Sequence, residues 1–370
     1  MKNRKITIID ETLREGMQYK GLMFSLEQRL KILKFQEKLK VDICQAGYPP
    51  AHDFEALAVR TLFDHAGKNK FKIRIAAMGR ASINDAAILL KTRVNDLHFH
   101  LHVKNKENKL DKILKNLLKT IDFVRKENPG AVLSVAMLDI GKSDDVILNQ
   151  CVSFLNHHHI DIISLPDTSG MMAPNQVFEK INQFSSNTGQ ANISIHCHND
   201  MGMATANCVM GILAGGNVME ASVLGIGERN GIADLYASAK TLKEQGFDIN
   251  LKTDDIKTFK AYYQYIDSIA YEQTHEHLLT NTTPFFGNAV KTHVAGTHAD
   301  GIYGLAIEEQ FFLNILCGKT LVKKYLDTHD INFPENKLDI LTLNIKSESA
   351  RLNRCLTLCD IKTIISLISG

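Results

Sequence analysis

Two histidines separated by one residue are the side chains in this sequence best suited to binding a metal ion. His196 and His198 follow directly after the alternating apolar stretch 193–195. Side chains on a β-strand alternate between its two faces, so residues two apart point the same way. The two imidazoles would therefore project together from the end of a strand. Two structural histidines at a strand end are the alternative interpretation of this pattern.

An arginine and a carboxylate near the N-terminus could complete such a site. Arg14 and Glu15 lie in the segment 12–16 (TLREG), after a predicted first strand. Two histidines and one carboxylate form a site with open positions, which suits Mg²⁺, Mn²⁺, Zn²⁺ or Co²⁺. Such a site polarises a substrate carbonyl, and an adjacent arginine stabilises the negative oxygen that develops. A surface ion pair between Arg14 and Glu15 is the alternative.

The elements that would position these residues alternate regularly along the chain. Eight predicted strands alternate with predicted helices, a pattern typical of a TIM (β/α)₈ barrel in the α/β class. A doubly wound open sheet is the alternative, although no G-x-G-x-x-G motif follows the first strand. The predicted strands are residues 5–10, 41–46, 71–78, 96–103, 131–138, 160–166, 193–196 and 218–224, and helices are assigned to 25–40, 53–66, 82–91, 110–127, 144–157, 174–184 and 204–214.

The chain is expected to divide into a barrel and a C-terminal helical extension. The barrel is assigned to residues 1–250 and a helical linker or subdomain to residues 251–370. Within the second segment, residues 284–304 form a loop rich in glycine, threonine and histidine.

Composition limits the classes of function. Among the 370 residues, 44% are hydrophobic and 23% are charged, as in an ordinary soluble enzyme. The net charge of +2 gives no reason to expect a nucleic-acid or membrane partner. Seven cysteines without a C-x-x-C pair argue against a disulfide framework and favour a reducing, cytoplasmic setting. We see neither a signal peptide nor an apolar run long enough to span a bilayer.

Polar residues follow four of the predicted strands, at the end of the barrel where TIM-barrel active sites lie. Strands one, seven and eight are neighbours in a closed barrel, so Glu15 is expected to reach both histidines. Simple turns at residues 167–170 and 225–231 are the alternative reading of two of these segments. The groups are residues 14–15 after strand one, Asp167 and Thr168 after strand six, the histidines at strand seven, and residues 225–231 (GIGERNG) after strand eight.

Five segments of the chain resemble the DRE-TIM metallolyases. That superfamily includes 2-isopropylmalate, homocitrate and citramalate synthases and hydroxymethylglutaryl-CoA lyase. Glu15 and the segment 227–232 look most like homocitrate synthases, whereas the loop at 295–301 looks more like short 2-isopropylmalate synthases. The segments are 10–16 (DETLREG), 165–170 (LPDTSG), 196–200 (HCHND), 225–232 (GIGERNGI) and 292–301 (THVAGTHADG).

The resemblance implies roles for individual residues. It implies that Arg14 lies over the reacting carbonyl oxygen and that Thr168 holds a substrate carboxylate. It also implies a histidine after the barrel, His298 here, that reaches the partner subunit's active site, so a homodimer is expected. His298 is the predicted acid–base group, and a plain loop histidine at the dimer interface is the alternative. The implied metal ligands are Glu15, His196 and His198.

Further residues are assigned to the site with less support from the motifs. Glu228 is a catalytic candidate in the strand-eight loop. His100 is predicted to line the substrate pocket, with core or rim packing as the alternative. The substrate-binding candidates are Gln18, His100 and Asn230.

The chain departs from the synthase pattern at three positions. Leu138 stands where the synthases carry a catalytic glutamate, and Asp139 is the nearest substitute. Ser134 or a neighbour stands where homocitrate synthases carry an arginine that binds 2-oxoglutarate, which argues against that substrate. Ile232 stands where 2-isopropylmalate synthases place a metal-binding asparagine, and Asn230 is the nearest amide.

The activity that the resemblance implies is an acyl transfer. A divalent-metal-dependent enzyme would condense acetyl-CoA with a 2-oxo acid in a Claisen-type reaction and release a 2-hydroxy dicarboxylic acid. The first alternative is a metal-dependent lyase that cleaves a 3-hydroxy acid or its thioester and does not need the missing glutamate. The second is a catalytically inactive barrel that serves as a binding partner. Because the chain ends at Gly370, no end-product inhibition through a C-terminal regulatory domain is expected.

Overall fold

The computed structural model describes residues 3–102, 107–185, 189–293 and 310–369. The chain divides into two compact units, Met1–Leu279 and Thr280–Gly370. The sequence-based boundary at residue 250 falls before the helix Ile256–Thr274, which lies in the first unit because it packs against the first helix of the barrel. The first unit therefore extends beyond the predicted limit.

Eight parallel strands of the first unit close into a barrel, which confirms the predicted fold. Each strand pairs with the next one along the chain, and the first strand also pairs with the eighth, with Thr7 opposite Val218. A ninth, two-residue strand extends the sheet beside the first strand. The strands are β1 (Lys5–Asp10), β2 (Ile43–Gln45), β3 (Arg74–Arg80), β4 (Asp96–Leu101), β5 (Val132–Met137), β6 (Ile162–Ser164), β7 (Asn192–Ile195), β8 (Val218–Ala221) and β9 (Asp248–Ile249).

Several predicted strands extend further than the observed ones. The chain leaves β8 at Ala221 and forms a tight turn at Val223–Gly225, where Leu224 adopts a φ of 58°. A left-handed residue cannot continue a strand. The predicted end of this strand at residue 224 was therefore wrong.

Helices surround the barrel. Ser25 caps the first helix in a reciprocal pair of hydrogen bonds with Gln28, as its S-x-x-Q pattern predicts. The helices of the first unit are α1 (Leu26–Leu39), α2 (Asp53–Lys68), α3 (Ile83–Lys91), α4 (Glu107–Glu127), α5 (Asp145–His157), α6 (Pro174–Ser185), α7 (Ala204–Leu213), α8 (Leu235–Glu244) and α9 (Ile256–Thr274).

The barrel interior changes from apolar to polar towards the C-terminal ends of its strands. An apolar cluster crosses the interior at Ile9, Ile43, Ala76, Ile162 and Val218. Residues two positions further along a strand face the same interior. In β6 and β8 these next positions carry a serine and a glutamate. The barrel is therefore filled at its base and lined with polar groups above it.

The second unit contains the predicted C-terminal helices. Helices α10 (Lys319–Thr328), α11 (Leu338–Leu352) and α12 (Leu358–Ser369) enclose a small apolar core, and the short strands β10 (Thr292–His293) and β11 (Gln310–Phe311) pair in parallel. His298, the predicted acid–base group, lies outside the described residues. None of the described helices is long and apolar enough to cross a membrane.

Candidate active site

The ends of β1 and β7 bring Glu15, His196 and His198 together. One ligand atom from each residue lies within 4.8 Å of the other two, and all three side chains are buried. The Nε2 atoms of the two histidines are 3.3 Å apart. The predicted metal ligands therefore form one cluster.

Glu220, on β8, orients the first of these histidines. It accepts a hydrogen bond from Nδ1 of His196 at 2.9 Å and from the hydroxyls of Ser164 and Ser194 at 2.8 and 2.6 Å. Burial raises the pKa of Glu220, but these hydrogen bonds and the charge of His196 outweigh it and lower the pKa to about 2. The carboxylates around His196 outweigh its burial and raise its pKa. When His196 gives up the proton on Nε2 and keeps the one on Nδ1, Nε2 would offer a lone pair towards His198, as in carboxylate–histidine–metal arrangements.

Glu15 is held as an anion by donors from three directions. Arg14 donates to its Oε2, and the backbone N–H of Glu228 donates to its Oε1 at 3.1 Å. The amide nitrogen of Gln18 lies 2.9 and 3.0 Å from the two oxygens. Burial raises the pKa of Glu15, but Arg14 and the histidines outweigh it and hold the pKa below its usual value.

A glycine allows the strand-eight loop to approach Glu15 this closely. A Cβ atom at Gly227 would lie 3.0 Å from Cγ of Glu15. A larger residue would push the loop away from the carboxylate. Gly227 therefore brings the backbone N–H of Glu228 within hydrogen-bonding distance.

The cluster fits a divalent cation. Burial and the charge of His196 lower the pKa of His198 to about 3, so its imidazole is neutral and offers a lone pair. Nδ1 of His198 is buried without a hydrogen-bond partner among the described residues. Neutral imidazole nitrogens and one carboxylate suit Mg²⁺, Mn²⁺, Zn²⁺ or Co²⁺. On binding, the ion would take the place of one of the hydrogen bonds that Glu15 accepts.

Arg14 lies between two carboxylates. A single helical turn follows β1, because the N–H of Glu15 bonds to the carbonyl of Glu11 at 2.8 Å, and this turn places Glu11, Arg14 and Glu15 on one side. Nε and one terminal nitrogen of Arg14 contact Oε2 of Glu11 at 2.9 and 2.8 Å, and the other terminal nitrogen contacts Glu15. Burial lowers the pKa of Arg14, but the two carboxylates outweigh it and raise the pKa above its usual value.

Glu11 is the most enclosed of these acids. Burial raises its pKa to about 8, although the charge of Arg14 opposes this shift.

A cavity of about 900 Å³ opens above the cluster. On one wall, the hydroxyl of Tyr48 lies 3.0 Å from Nε2 of His100. Burial and the charge of Arg14 lower the pKa of His100, which favours its neutral form. His100 thus lies in the lining of the cavity, and its role in binding substrate stays a prediction. Apolar side chains form much of the remaining lining: Met17, Leu22, Met23, Phe54, Met78, Ala136, Leu138 and Pro166.

Loops after β6, β7 and β8 are tied together at the cavity rim. Arg229 donates to both oxygens of Asp200 at 2.8 and 2.9 Å and to the carbonyl of Thr168 at 2.6 Å. Thr168 and Glu228 both line the cavity, and their substrate-binding and catalytic roles stay predictions. Asn230 is exposed and lies outside the described lining, so its predicted role in substrate binding is not supported by its position.

The segment after β5 carries no acid into the cavity. Leu138 lines the cavity at the position of the synthases' glutamate. Asp139 adopts a φ of 64°, and its Oδ1 accepts a hydrogen bond from the N–H of Ser169 at 3.3 Å. It is outside the described lining of the cavity, so it does not occupy the place of the glutamate.

Sequence reasoning missed three residues of the site. Glu220 is the one charged residue of β8, whose other residues are apolar. This pattern was a readable signal for a buried, paired carboxylate. Tyr48 follows β2 directly, at the reactive end of the barrel. Glu11 lay within a recognised motif but was given no role, since its side-chain direction depends on the turn after β1.

Relatives of the chain include proteins named as 2-isopropylmalate synthases and as a homocitrate synthase. The 2-isopropylmalate synthase of Sulfurisphaera tokodaii is 29% identical over 82% of this chain and 77% of its own length. That of Saccharolobus solfataricus is 27% identical over 98% of this chain and 96% of its own. The homocitrate synthase of Sulfolobus acidocaldarius is 24% identical over 93% of this chain and 75% of its own length.

Solved structures and a family model agree with the barrel. The hydroxymethylglutaryl-CoA lyase of Bacillus subtilis superposes with a TM-score of 0.61 at 17% identity, covering 72% of this chain and 94% of the lyase, which shows the shared fold. The HMGL-like family model matches residues 5–262, nearly the whole first unit. The chain therefore belongs to the HMGL-like family of the DRE-TIM metallolyase superfamily.

Proposed function

We propose that this protein condenses acetyl-CoA with a 2-oxo acid that carries an apolar side chain, in a metal-dependent Claisen reaction, and that water then hydrolyses the thioester to release CoA and a 2-hydroxy dicarboxylic acid. The observation that carries the proposal is the buried cluster of Glu15, His196 and His198 with Arg14 at the base of a 900 Å³ cavity. Relatives named as 2-isopropylmalate synthases support the same class of reaction.

The residues around the cavity have distinct tasks in this reaction. When held by Glu15 and the two histidines, a divalent ion supplies Lewis-acid polarisation of a carbonyl. Arg14 stabilises the alkoxide that forms when the acetyl carbon attacks the keto carbon. Thr168 accepts the N–H of Asp139 at 3.0 Å through its hydroxyl oxygen, which leaves the hydroxyl hydrogen to donate to the substrate carboxylate.

We assign the proton transfers of the reaction to a residue outside the described part of the chain. His298 remains the proposed acid–base group. Leu138 cannot take this role, because its side chain has no ionisable group.

The cavity favours a 2-oxo acid without a second carboxylate. Arg14 is paired with Glu11 and Glu15, and Arg29 is paired with Glu55 at 2.7 Å. The described lining contains no other arginine or lysine. A second substrate carboxylate would therefore lack an unpaired cation, whereas the apolar walls suit an alkyl side chain.

Leu138 favours a second candidate function, a lyase that cleaves a carbon–carbon bond in the retro-aldol sense. Such a reaction would use the same metal cluster and Arg14 without the synthase glutamate. Cleavage and condensation share the alkoxide, so the geometry around Arg14 serves both.

A thiol-release assay separates these functions. Purified protein with Mn²⁺ and acetyl-CoA is tested against pyruvate, 2-oxoisovalerate, 2-oxoglutarate and glyoxylate, with E15A as control and metal content measured in parallel. Thiol release with 2-oxoisovalerate or another apolar 2-oxo acid, lost in E15A, is the expected result. Bound metal without release of thiol would favour the lyase, and absence of bound metal would favour a barrel that serves only as a binding partner.

A further inference from the structure

Glu11 contacts the reactive arginine from beneath the cavity. Its Oε2 is 2.9 Å from Nε and 2.8 Å from one terminal nitrogen of Arg14, so one carboxylate oxygen accepts from two donors. The side chain of Glu11 has no solvent exposure, and it is not part of the described lining of the cavity. Arg14 lines the cavity, whereas Glu11 supports it from behind.

Burying Glu11 in this position is costly, and Arg14 is the partner that compensates. Its Oε1 has no hydrogen-bond partner among the described residues. The carboxylates of Glu15 and Glu220 lie near enough to repel its negative charge. A buried carboxylate in such surroundings is tolerated only when a cation and hydrogen bonds offset its desolvation.

The contact also determines which partners Arg14 can take. Without Glu11, the guanidinium could rotate to face Glu15 with two parallel hydrogen bonds, the geometry that arginine prefers with carboxylates. Arg14 would then face Glu15 with the edge that makes these bonds, and the guanidinium would turn away from the cavity. With Nε and one terminal nitrogen held by Glu11, Arg14 reaches Glu15 through a single nitrogen.

We propose that Glu11 is a positioning residue that fixes the direction of the Arg14 guanidinium. It keeps the outer edge of the guanidinium towards the cavity and prevents Arg14 from closing onto Glu15. The proposal rests on the proposed function only in assigning Arg14 to the reacting oxygen. The Glu11–Arg14 coupling itself is a property of the fold and can be tested without turnover.

The first experiment is a thermal unfolding cycle on metal-free protein with E11Q, R14Q and E11Q/R14Q. R14Q leaves Glu11 buried without its cation, so it is expected to lower the unfolding midpoint most. The double variant removes both charges and is expected to unfold at a higher temperature than R14Q. D10N is the matched control, because Asp10 is equally buried on β1 and bonds to the hydroxyl of Tyr262 instead of Arg14. D10N/R14Q is expected to unfold at a lower temperature than R14Q.

The second experiment measures the function of Arg14 by calorimetric titration of oxalate, a planar chelating dianion, into the Mn²⁺-loaded protein. E11Q is expected to weaken oxalate binding about tenfold while Mn²⁺ affinity stays within about threefold, since one charge-assisted contact is affected. In the R14Q background, E11Q should cause no further loss. With an active 2-oxo acid, E11Q should lower kcat more than it changes KM. E11D, which keeps the carboxylate, should restore kcat.

The outcomes separate the two proposals. Additive effects of E11Q and R14Q on stability and on oxalate binding would overturn the positioning role of Glu11. So would a loss of stability in E11Q with unchanged oxalate affinity, because that result describes a purely structural carboxylate. Absence of thiol release from the wild type refutes the proposed function alone, since the oxalate and unfolding cycles still decide the role of Glu11.

Discussion

Replacing Glu220 by glutamine tests how the metal cluster is held. Glu220 accepts from Nδ1 of His196 and from the hydroxyls of Ser164 and Ser194. Glutamine has nearly the same shape, and its oxygen can still accept from His196 while its amide faces the two hydroxyls. The substitution therefore keeps the geometry and removes the negative charge that increases the basicity of the imidazole.

The size of the effect follows from this contact. Losing the outer partner of a ligating histidine costs about 10- to 100-fold in metal affinity. This range corresponds to about 1.4 to 2.7 kcal/mol of binding free energy. E220Q retains the hydrogen bond, so we expect about tenfold weaker Mn²⁺ binding. E220A leaves Nδ1 of His196 buried without a partner and is expected near the upper limit.

Calorimetric titration of metal-free protein with Mn²⁺ measures the change directly. S194A is the control, because it removes one neutral donor to Glu220 and retains the charge, and it should weaken binding less than E220Q. Folding of each variant is checked by circular dichroism. If E220Q binds Mn²⁺ as tightly as the wild type while E15A has lost binding, Glu220 does not orient the ligand and the reasoning fails.

Three further predictions concern pH, specificity and the rim loops. Burial lowers the pKa of His98 to about 4, below its ordinary value of 6.5. As the pH falls, His98 therefore binds a proton in the unfolded chain before it does so in the folded protein. The free energy of unfolding thus decreases as the pH drops from 6.5 towards 4. Urea titrations of H98Q should lack this loss of unfolding free energy, at most about 3 kcal/mol; an unchanged pH dependence would contradict it. L138E should raise acetyl-CoA condensation about tenfold or more if a carboxylate in the cavity is what the chain lacks, whereas the control L138Q adds no ionisable group and should stay at the wild-type rate. R229M removes the hydrogen bonds to Asp200 and Thr168, so we expect a rise in KM for the 2-oxo acid. Because Arg229 is partly exposed, the loss of stability should be about 1 kcal/mol or less. An unchanged KM would show that the rim loops hold their positions without Arg229.

The barrel and its candidate metal ligands were accessible from sequence because their placement depends on local rules. Alternation along β7 places His196 and His198 on one side, and closure of the barrel makes β1 a neighbour of β8. These rules were sufficient to bring Glu15 to the histidines. The loop after β8 did not follow such rules, since Arg229 and Gly231 adopt left-handed conformations with φ of 56° and 83°. That backbone path exposes Asn230, which sequence spacing had placed near the substrate.

The charges around Arg14 connect the proposed metal to the residue that sequence reasoning overlooked. Hydrogen bonds and cations hold the pKa values of Glu15 and Glu220 below their usual range, whereas the pKa of Glu11 is raised to about 8. Arg14 offsets the charge of one of these three carboxylates, which leaves two negative charges for other cations to offset. The charge on His196, whose pKa its carboxylate neighbours raise against the effect of burial, relieves part of this excess in the metal-free protein, and a divalent cation at Glu15 would take its place. Metal binding should therefore release a proton from this region, in keeping with the general coupling of metal affinity to pH. Glu11 thus adds a negative charge to a site whose charges are balanced only when the ion is present.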